Sequence, residues 1–224
     1  YKGVVKCDNP RSTAAHLKNA GLDIADWPTF YRQILNTGHD VDLRIAQLQE
    51  AEQMFRSVES FTELTPLQRK CLAGFQKKVK VSEINWMRFG SMRGAGEFKN
   101  LIMQDNEMAR AIDLIPLEGE FSDEQLNAYF QAFSKWKNPL ASATRLLAMK
   151  RPDLFICIDS ANQRSLSERL QIPQNQFTIQ NYRPVILNRI YSGNWCQDAT
   201  EPTTITEKLV KKYRVAMLDC LCME

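Results

Sequence analysis

Apolar residues recur at helical spacing through most of the 224-residue chain, and no stretch alternates apolar and polar residues long enough to suggest a half-buried strand. Ser12 or Thr13 is placed to cap a short helix reaching Ala20. Asp26 precedes a helix through Leu35, closed by Gly38. Asp40 precedes a longer one to about Ser57, with Leu43, Leu48, Ala51, Met54 and Phe55 near helical spacing. Thr65-Pro66 reads as an N-cap with proline in the first turn, opening a helix that carries Leu67, Cys71, Leu72 and Phe75. Residues 82–96 are irregular and rich in glycine, and short helices are expected over 97–103 and 106–115. Ser122 and Gln125 have capping-box spacing and open a helix through Trp136, which Lys137-Asn138-Pro139 breaks. Two further helices flank Asp159. Arg183-Pro184 sits early in another that extends to about Tyr191, 193–204 is a loop, and 205–221 is a final amphipathic helix. The predicted fold class is all-α.

The chain is long enough to bury a sizeable core as one large domain or two small lobes. No apolar run approaches membrane-spanning length and no secretory signal is visible, so the expected setting is cytoplasmic, away from any membrane. The six cysteines are scattered with no CxxC pair, which argues against a zinc or iron–sulfur site and for a reducing compartment. The net charge of +3 hides a segregation. Eight basic residues lie from Arg69 to Lys99 against Glu83 and Glu97, and five with no acid from Lys135 to Arg151. From Asp105 to Glu124 seven acids face Arg110 alone. The blocks suggest one basic and one acidic face, the basic one suited to phosphates.

The densest signal is LASATRLLAMKRPDLFICIDSANQRSLSERL, from Leu140 to Leu170. A helix runs into a turn with Lys150, Arg151 and Pro152. The apolar run Phe155-Ile156-Cys157-Ile158 ends at Asp159, and a second helix follows. Read from residues alone, Asp159 is either an N-cap contributing roughly 1 kcal/mol or a carboxylate fixed at a helix N-terminus and facing a cleft. The segment resembles the catalytic half of the helix-hairpin-helix (HhH-GPD) DNA glycosylases. Ala143 fits the small position of the second hairpin helix, Asp159 the catalytic carboxylate, Ser160 the hydroxyl after it, and Arg164 the arginine five residues on. The match covers about thirty residues.

That resemblance implies a two-lobed helical fold forming one unit over 1–224. A central lobe at 60–135 would face a lobe made of 1–59 and 136–224, with the active-site cleft between them. It implies cleavage of the base–deoxyribose bond in double-stranded DNA by a monomeric enzyme. Several features depart from the family pattern. Asn138-Pro139-Leu140-Ala141 replaces the Gly-x-Gly turn that clamps a phosphate, often with a monovalent cation, and Ala161 replaces a histidine. The cysteine quartet of the iron–sulfur members is absent, and Ala141 stands where strand-cutting members carry a lysine nucleophile. The expected enzyme is therefore monofunctional, with no cofactor and no metal, although Lys137 is a nearby amine. The divergent pattern also resembles phage-defence glycosylases that attack hypermodified bases such as glucosylated hydroxymethylcytosine, beside repair enzymes for oxidised or alkylated bases. A catalytically silent helical DNA-binding module is the alternative, and a helical protein-interaction domain using the acidic segment is a third.

In the glycosylase reading Asp159 stabilises the oxocarbenium-like sugar and orients or deprotonates the attacking water. A flipped base needs a stacking pocket and a wedge. Asn85, Trp86, Phe89, Met92 and Arg93 in the glycine-rich stretch are the candidates, although Trp86 and Phe89 also suit a core. Lys137, Asn138, Ala141, Ser142, Lys150, Arg151, Ser160 and Arg164 are the candidate phosphate contacts.

Overall fold

The computed structural model describes residues 25–76, 84–104 and 106–222. The expected helix from Ser12 or Thr13 to Ala20, and Lys77, Lys78 and Lys80 of the first basic block, lie outside these residues. The described chain is helical, and no strand occurs in it. Among the described residues no helix is long and apolar enough to cross a membrane.

The helices of the first half begin where the polar caps predict. Asp26 accepts from the Thr29 amide at 2.9 Å and opens α1 (Trp27–Leu35). Asp40 accepts from the Leu43 amide at 2.9 Å and opens α2 (Val41–Arg56). Each carboxylate satisfies an amide that has no partner inside its helix. Thr65 and Gln68 form a reciprocal capping box at the start of α3 (Pro66–Leu72). Two short helices follow, α4 (Gly96–Gln104) and α5 (Asn106–Asp113). A second capping box, Ser122 with Gln125, opens α6 (Asp123–Phe133). This helix stops one turn before Trp136. The Ser134 hydroxyl donates to the Gln131 carbonyl, and Asn138 takes a left-handed φ of 56°.

The centre of the molecule is α7 (Leu140–Lys150), buried at every residue from Ser142 to Lys150. Helices α2 and α3 pack on it. From α6, Tyr129 donates its hydroxyl to the Ala143 carbonyl at 2.7 Å, an approach that the small residue at 143 permits.

After α7 the chain runs extended and buried through Phe155-Ile156-Cys157-Ile158 with no neighbouring strand. Its backbone groups still need partners, because an unpaired buried amide or carbonyl is costly. Side chains supply them. The Tyr182 hydroxyl accepts from the Ile156 amide at 3.1 Å and donates to the Ile156 carbonyl at 2.7 Å. Thr144 Oγ1 on α7 accepts from the Ile158 amide at 2.9 Å. Asn162 Nδ2 donates to the Cys157 carbonyl at 2.8 Å, and Asn162 Oδ1 accepts from the Asp159 amide at 3.0 Å. We expect Tyr182→Phe to lower stability by about 3 kcal/mol, since it orphans two buried backbone groups at once. Urea unfolding followed by circular dichroism measures this, and a loss within 0.5 kcal/mol (about the size of an ordinary surface substitution) would refute the accounting.

Helix α8 (Gln163–Leu170) follows, then α9 over 179–191. Within α9 the backbone widens to a π-helical turn at Tyr182–Leu187, around Pro184, which has no amide to donate. The expected loop at 193–204 contains a short helix, α10 (Asn194–Gln197), whose Trp195 stacks on Phe30 of α1 at 4.0 Å. The expected single helix over 205–221 is interrupted. It comprises α11 (Ile205–Lys212), α12 (Arg214–Met217) and a 3-10 turn at Leu218–Leu221. The break occurs because the Ala216 amide donates to the Pro152 carbonyl instead of to its own helix. It turns Asp219 into the interior beneath Asp159's helix start.

Candidate active site around Asp159

Asp159 ends the extended run one turn before α8, and its carbonyl accepts from the Gln163 amide at 3.0 Å. Its carboxylate Oδ1 accepts from the amides of Ala161 at 2.9 Å and Asn162 at 3.1 Å. The residue therefore caps the turn that leads into α8, and the N-cap of the helix itself is Asn162. The second oxygen, Oδ2, receives no such bond among the described residues and lies against Gly90.

Beneath the carboxylate runs a buried polar chain. Fully buried Asn162, which holds the Asp159 amide, also donates from Nδ2 to Asp219 Oδ1 at 2.7 Å. The other oxygen of Asp219 accepts from Arg44 Nη1 at 2.8 Å, and the Arg44 guanidinium lies 4.8 Å from the Phe89 ring centre. Burial is the largest influence on Asp159 and raises its pKa above the usual carboxylate value. The two amide bonds work against that shift, Asp219 adds to it, and Arg145 opposes it. The net direction is upward.

The loop facing Asp159 is held by a residue that sequence reasoning missed. Arg145, fully buried on α7, donates to the carbonyls of Leu72 at 3.0 Å and Trp86 at 2.8 Å, and closely to that of Arg88. Among the described residues no carboxylate pairs with it, and burial pushes its pKa down to about 10, so it stays charged at neutral pH. The available signal was an arginine amid Ala, Thr and Leu in a helix with no exposed face. In the loop, Phe89 has φ 62° and Gly90 φ 101°. A Cβ on Gly90 would stand 2.7 Å from Cys157 Sγ and 3.1 Å from Asp159 Oδ2, so only glycine fits there. Gly74 completes the stack, since a Cβ on it would lie 2.8 Å from the Gly90 carbonyl.

Asp159 opens onto a cleft of about 1070 Å³. Its walls are Ser91, Met92, Gly94 and Ala95 of the loop, one face of α6, the start of α7, the start of α8, and 177–180. Apolar lining comes from Met92, Phe130, Trp136, Leu140, Ile158 and Phe177 among others, and serines, threonine and amides supply polar lining. The amides are Asn127, Gln131, Asn138, Gln163 and Gln180. Among the described residues that line it, Asp159 is the only ionisable side chain.

The structure brings Met92, Asn138, Ala141, Ser142, Ser160 and Asp159 together on this cleft. Helix α7 begins there without a side-chain cap, so the amides of its first turn have no partner within the helix. Asn138 adopts a left-handed φ of 56°, which asparagine tolerates. Lys137 and Arg93 are exposed near the cleft but outside its lining, and Arg164 is exposed with Glu168 3.3 Å away.

Five sequence candidates are placed elsewhere. Trp86 and Phe89 are core residues, 1 % exposed, because their loop is drawn inward by Arg145. Lys150 donates to the Ile112 carbonyl at 2.8 Å, lies over Phe55, and has its pKa pushed down to about 8 by burial. Arg151 pairs with Asp153 at 2.8 Å and donates to the carbonyls of Pro116 and Gly119. Lys150 and Arg151 thus fix the α5–α6 connection rather than face phosphates. Asn85 uses its side-chain oxygen to accept from the Met87 amide and is not in the cleft lining. The second basic block is accordingly no surface patch, since Arg145, Lys150 and Arg151 all turn inward.

No family model matches the sequence, and no curated protein or solved structure matches it either.

Proposed function

We propose that the protein is a monofunctional DNA N-glycosylase with an HhH-GPD-like arrangement. Residues 60–135 would form one lobe, and 1–59 with 136–224 the other. The observation that carries the reading is a half-buried carboxylate anchored by two amides in the lining of a large cleft. The cleft walls drawn from Ser91, Met92, Gly94, Ala95 and α6 on one side, and from α7, α8 and 177–180 on the other, support the two-lobe division.

The chemistry follows from that placement. The bond between C1′ and the base nitrogen breaks with its electron pair leaving on the base. Positive charge develops on the sugar, and Asp159 Oδ2 stabilises it through space in a half-dry site. A water then adds to C1′ and gives up a proton, yielding the free base and an abasic sugar. No lysine lines the cleft among the described residues, which supports hydrolysis over a Schiff-base lyase step. The unpartnered amides of the first turn of α7, with Asn138, Ala141 and Ser142, would hold a backbone phosphate of double-stranded DNA. Ser160 and Arg164 lie at the start of α8, and Lys137 and Arg93 offer outer charge.

The base would be bulky, polar and uncharged. The cleft is at the upper end of the volume that holds a drug-sized ligand, and its polar lining is amide and hydroxyl apart from Asp159. A hypermodified cytosine of phage DNA, attacked in defence, fits better than a small oxidised or alkylated lesion. The test is a panel of duplexes carrying oxidised, alkylated, deaminated and glucosyl-hydroxymethylated bases, scored for strand breaks with and without alkali. Alkali-dependent breaks on the glucosylated duplex are expected. Breaks without alkali would replace the monofunctional assignment, and salt-sensitive binding without breaks on any duplex would favour a silent DNA-binding module.

A further inference from the structure

The cleft continues beyond Asp159. Asn127 of α6 and Gln180 of α9 line it and also line a side groove of about 310 Å³ that leads to Arg183. The Arg183 guanidinium lies 5.3 Å from the Phe121 ring centre and 5.6 Å from that of Tyr191. Its Nε donates to Asp123 Oδ1 at 3.2 Å, and its Nη1 to Asn188 Oδ1 at 3.2 Å. Asn188 is itself oriented, because its Nδ2 donates to the Pro184 carbonyl at 3.1 Å. The Nη2 group has no hydrogen-bond partner among the described residues, and the side chain is 34 % exposed.

An ordinary surface ion pair needs none of this support and contributes little. Two rings and an amide fix the plane of this guanidinium, so little freedom is left to lose on binding, while one edge stays open to the groove. A stacked, preoriented guanidinium is the side chain best suited to a phosphodiester. Building on the glycosylase reading, we infer that Arg183 is a phosphate subsite for the DNA strand that delivers the flipped nucleotide. The strand runs from the start of α7, past Asp159, between Asn127 and Gln180, to Arg183. Asp123 then acts as the competitor of that phosphate.

The test uses the full chain and a short duplex with a central tetrahydrofuran abasic analogue, its affinity followed by anisotropy across a salt series. Arg183→Ala should bind roughly tenfold more weakly, as for one charge-assisted hydrogen bond lost, and lower the log–log salt slope by about one. Asp123→Asn should bind more tightly than wild type. Replacing single phosphates by methylphosphonates should reveal one position that weakens wild type and leaves Arg183→Ala indifferent. Arg183→Lys keeps the charge without the stacked fork. It should fall between wild type and Arg183→Ala, which makes the test independent of any folding defect in the alanine variant. A wild-type chain without salt-dependent affinity overturns the DNA reading and this subsite with it. Wild-type binding with an unchanged slope in both Arg183 variants overturns the subsite alone.

Discussion

Asp159→Asn is expected to excise the base about 10²–10⁴-fold more slowly than wild type in single-turnover assays. Duplex affinity should be kept, and the protein should be no less stable at neutral pH. Asparagine still accepts from the Ala161 and Asn162 amides through its oxygen, so the cap survives. What disappears is the negative charge at Oδ2. Burial raises the pKa of Asp159 in the folded chain, so folding favours its neutral form. Its favourable contribution is fully present below the unfolded-state pKa and is lost as pH rises through the folded pKa. At pH 7 wild type bears the cost of a half-buried charge and the amide variant does not. Its melting temperature at pH 7 should therefore equal or exceed that of wild type, and the advantage should vanish as the pH falls below both pKa values. The rate of wild type should decline in acid above the ordinary carboxylate range, as the ionised form is lost. A variant that excises at the wild-type rate would remove Asp159 from the chemistry. A variant that loses binding or stability would return it to the role of cap.

Replacing Arg145 by methionine is expected to cost on the order of 5 kcal/mol, the largest single loss of stability among substitutions at the site. Methionine fills much of the volume of the stem but leaves the carbonyls of Leu72, Trp86 and Arg88 without their donor. Each is a charge-assisted bond in a dry interior, and three are lost together. Equilibrium unfolding in urea measures the effect, and a loss below about 1 kcal/mol would show that the loop is held by its own packing. Under conditions where the variant stays folded, the pKa of Asp159 should rise further, since Arg145 is the cation that opposes the shift. A carboxyl carbon titration by NMR reads that directly and separates an electrostatic contribution from a packing one.

The helices and their starts were legible because their causes are local. Asp26, Asp40, Thr65 with Pro66, and Ser122 with Gln125 each act within one turn, and each opens a helix where expected. Asp159 stood out because a single carboxylate ended an apolar run before a second helix. The fate of the arginines and lysines was not legible. Arg69, Arg145, Lys150 and Arg151 look like surface charge in sequence, yet all four donate to backbone carbonyls. A carbonyl leaves no trace in the side-chain pattern, so an arginine whose partners are backbone is indistinguishable from one that faces solvent. The same limit explains Trp86 and Phe89, which a glycine-rich loop appeared to present and Arg145 withdraws. Asn162 and Asp219 escaped notice for a different reason. They meet only because the helix after Tyr213 is broken, and that break depends on the carbonyl of Pro152.

The chain of bonds beneath Asp159 also bears on when the site is completed during folding. Arg44 and Asp219 are separated by 175 residues, and Asn162 joins Asp159 to that pair. Closing so long a loop is slow and comes late, because its entropy must be overcome before the contact stabilises anything. An intermediate with only its local helices formed would hold Asp159 as an exposed, fully hydrated cap with an ordinary pKa. The half-dry carboxylate arises when the distant segments have docked. An unfinished or misfolded chain therefore lacks the site in its native form, and in the proposed glycosylase reading base excision would be confined to the folded state.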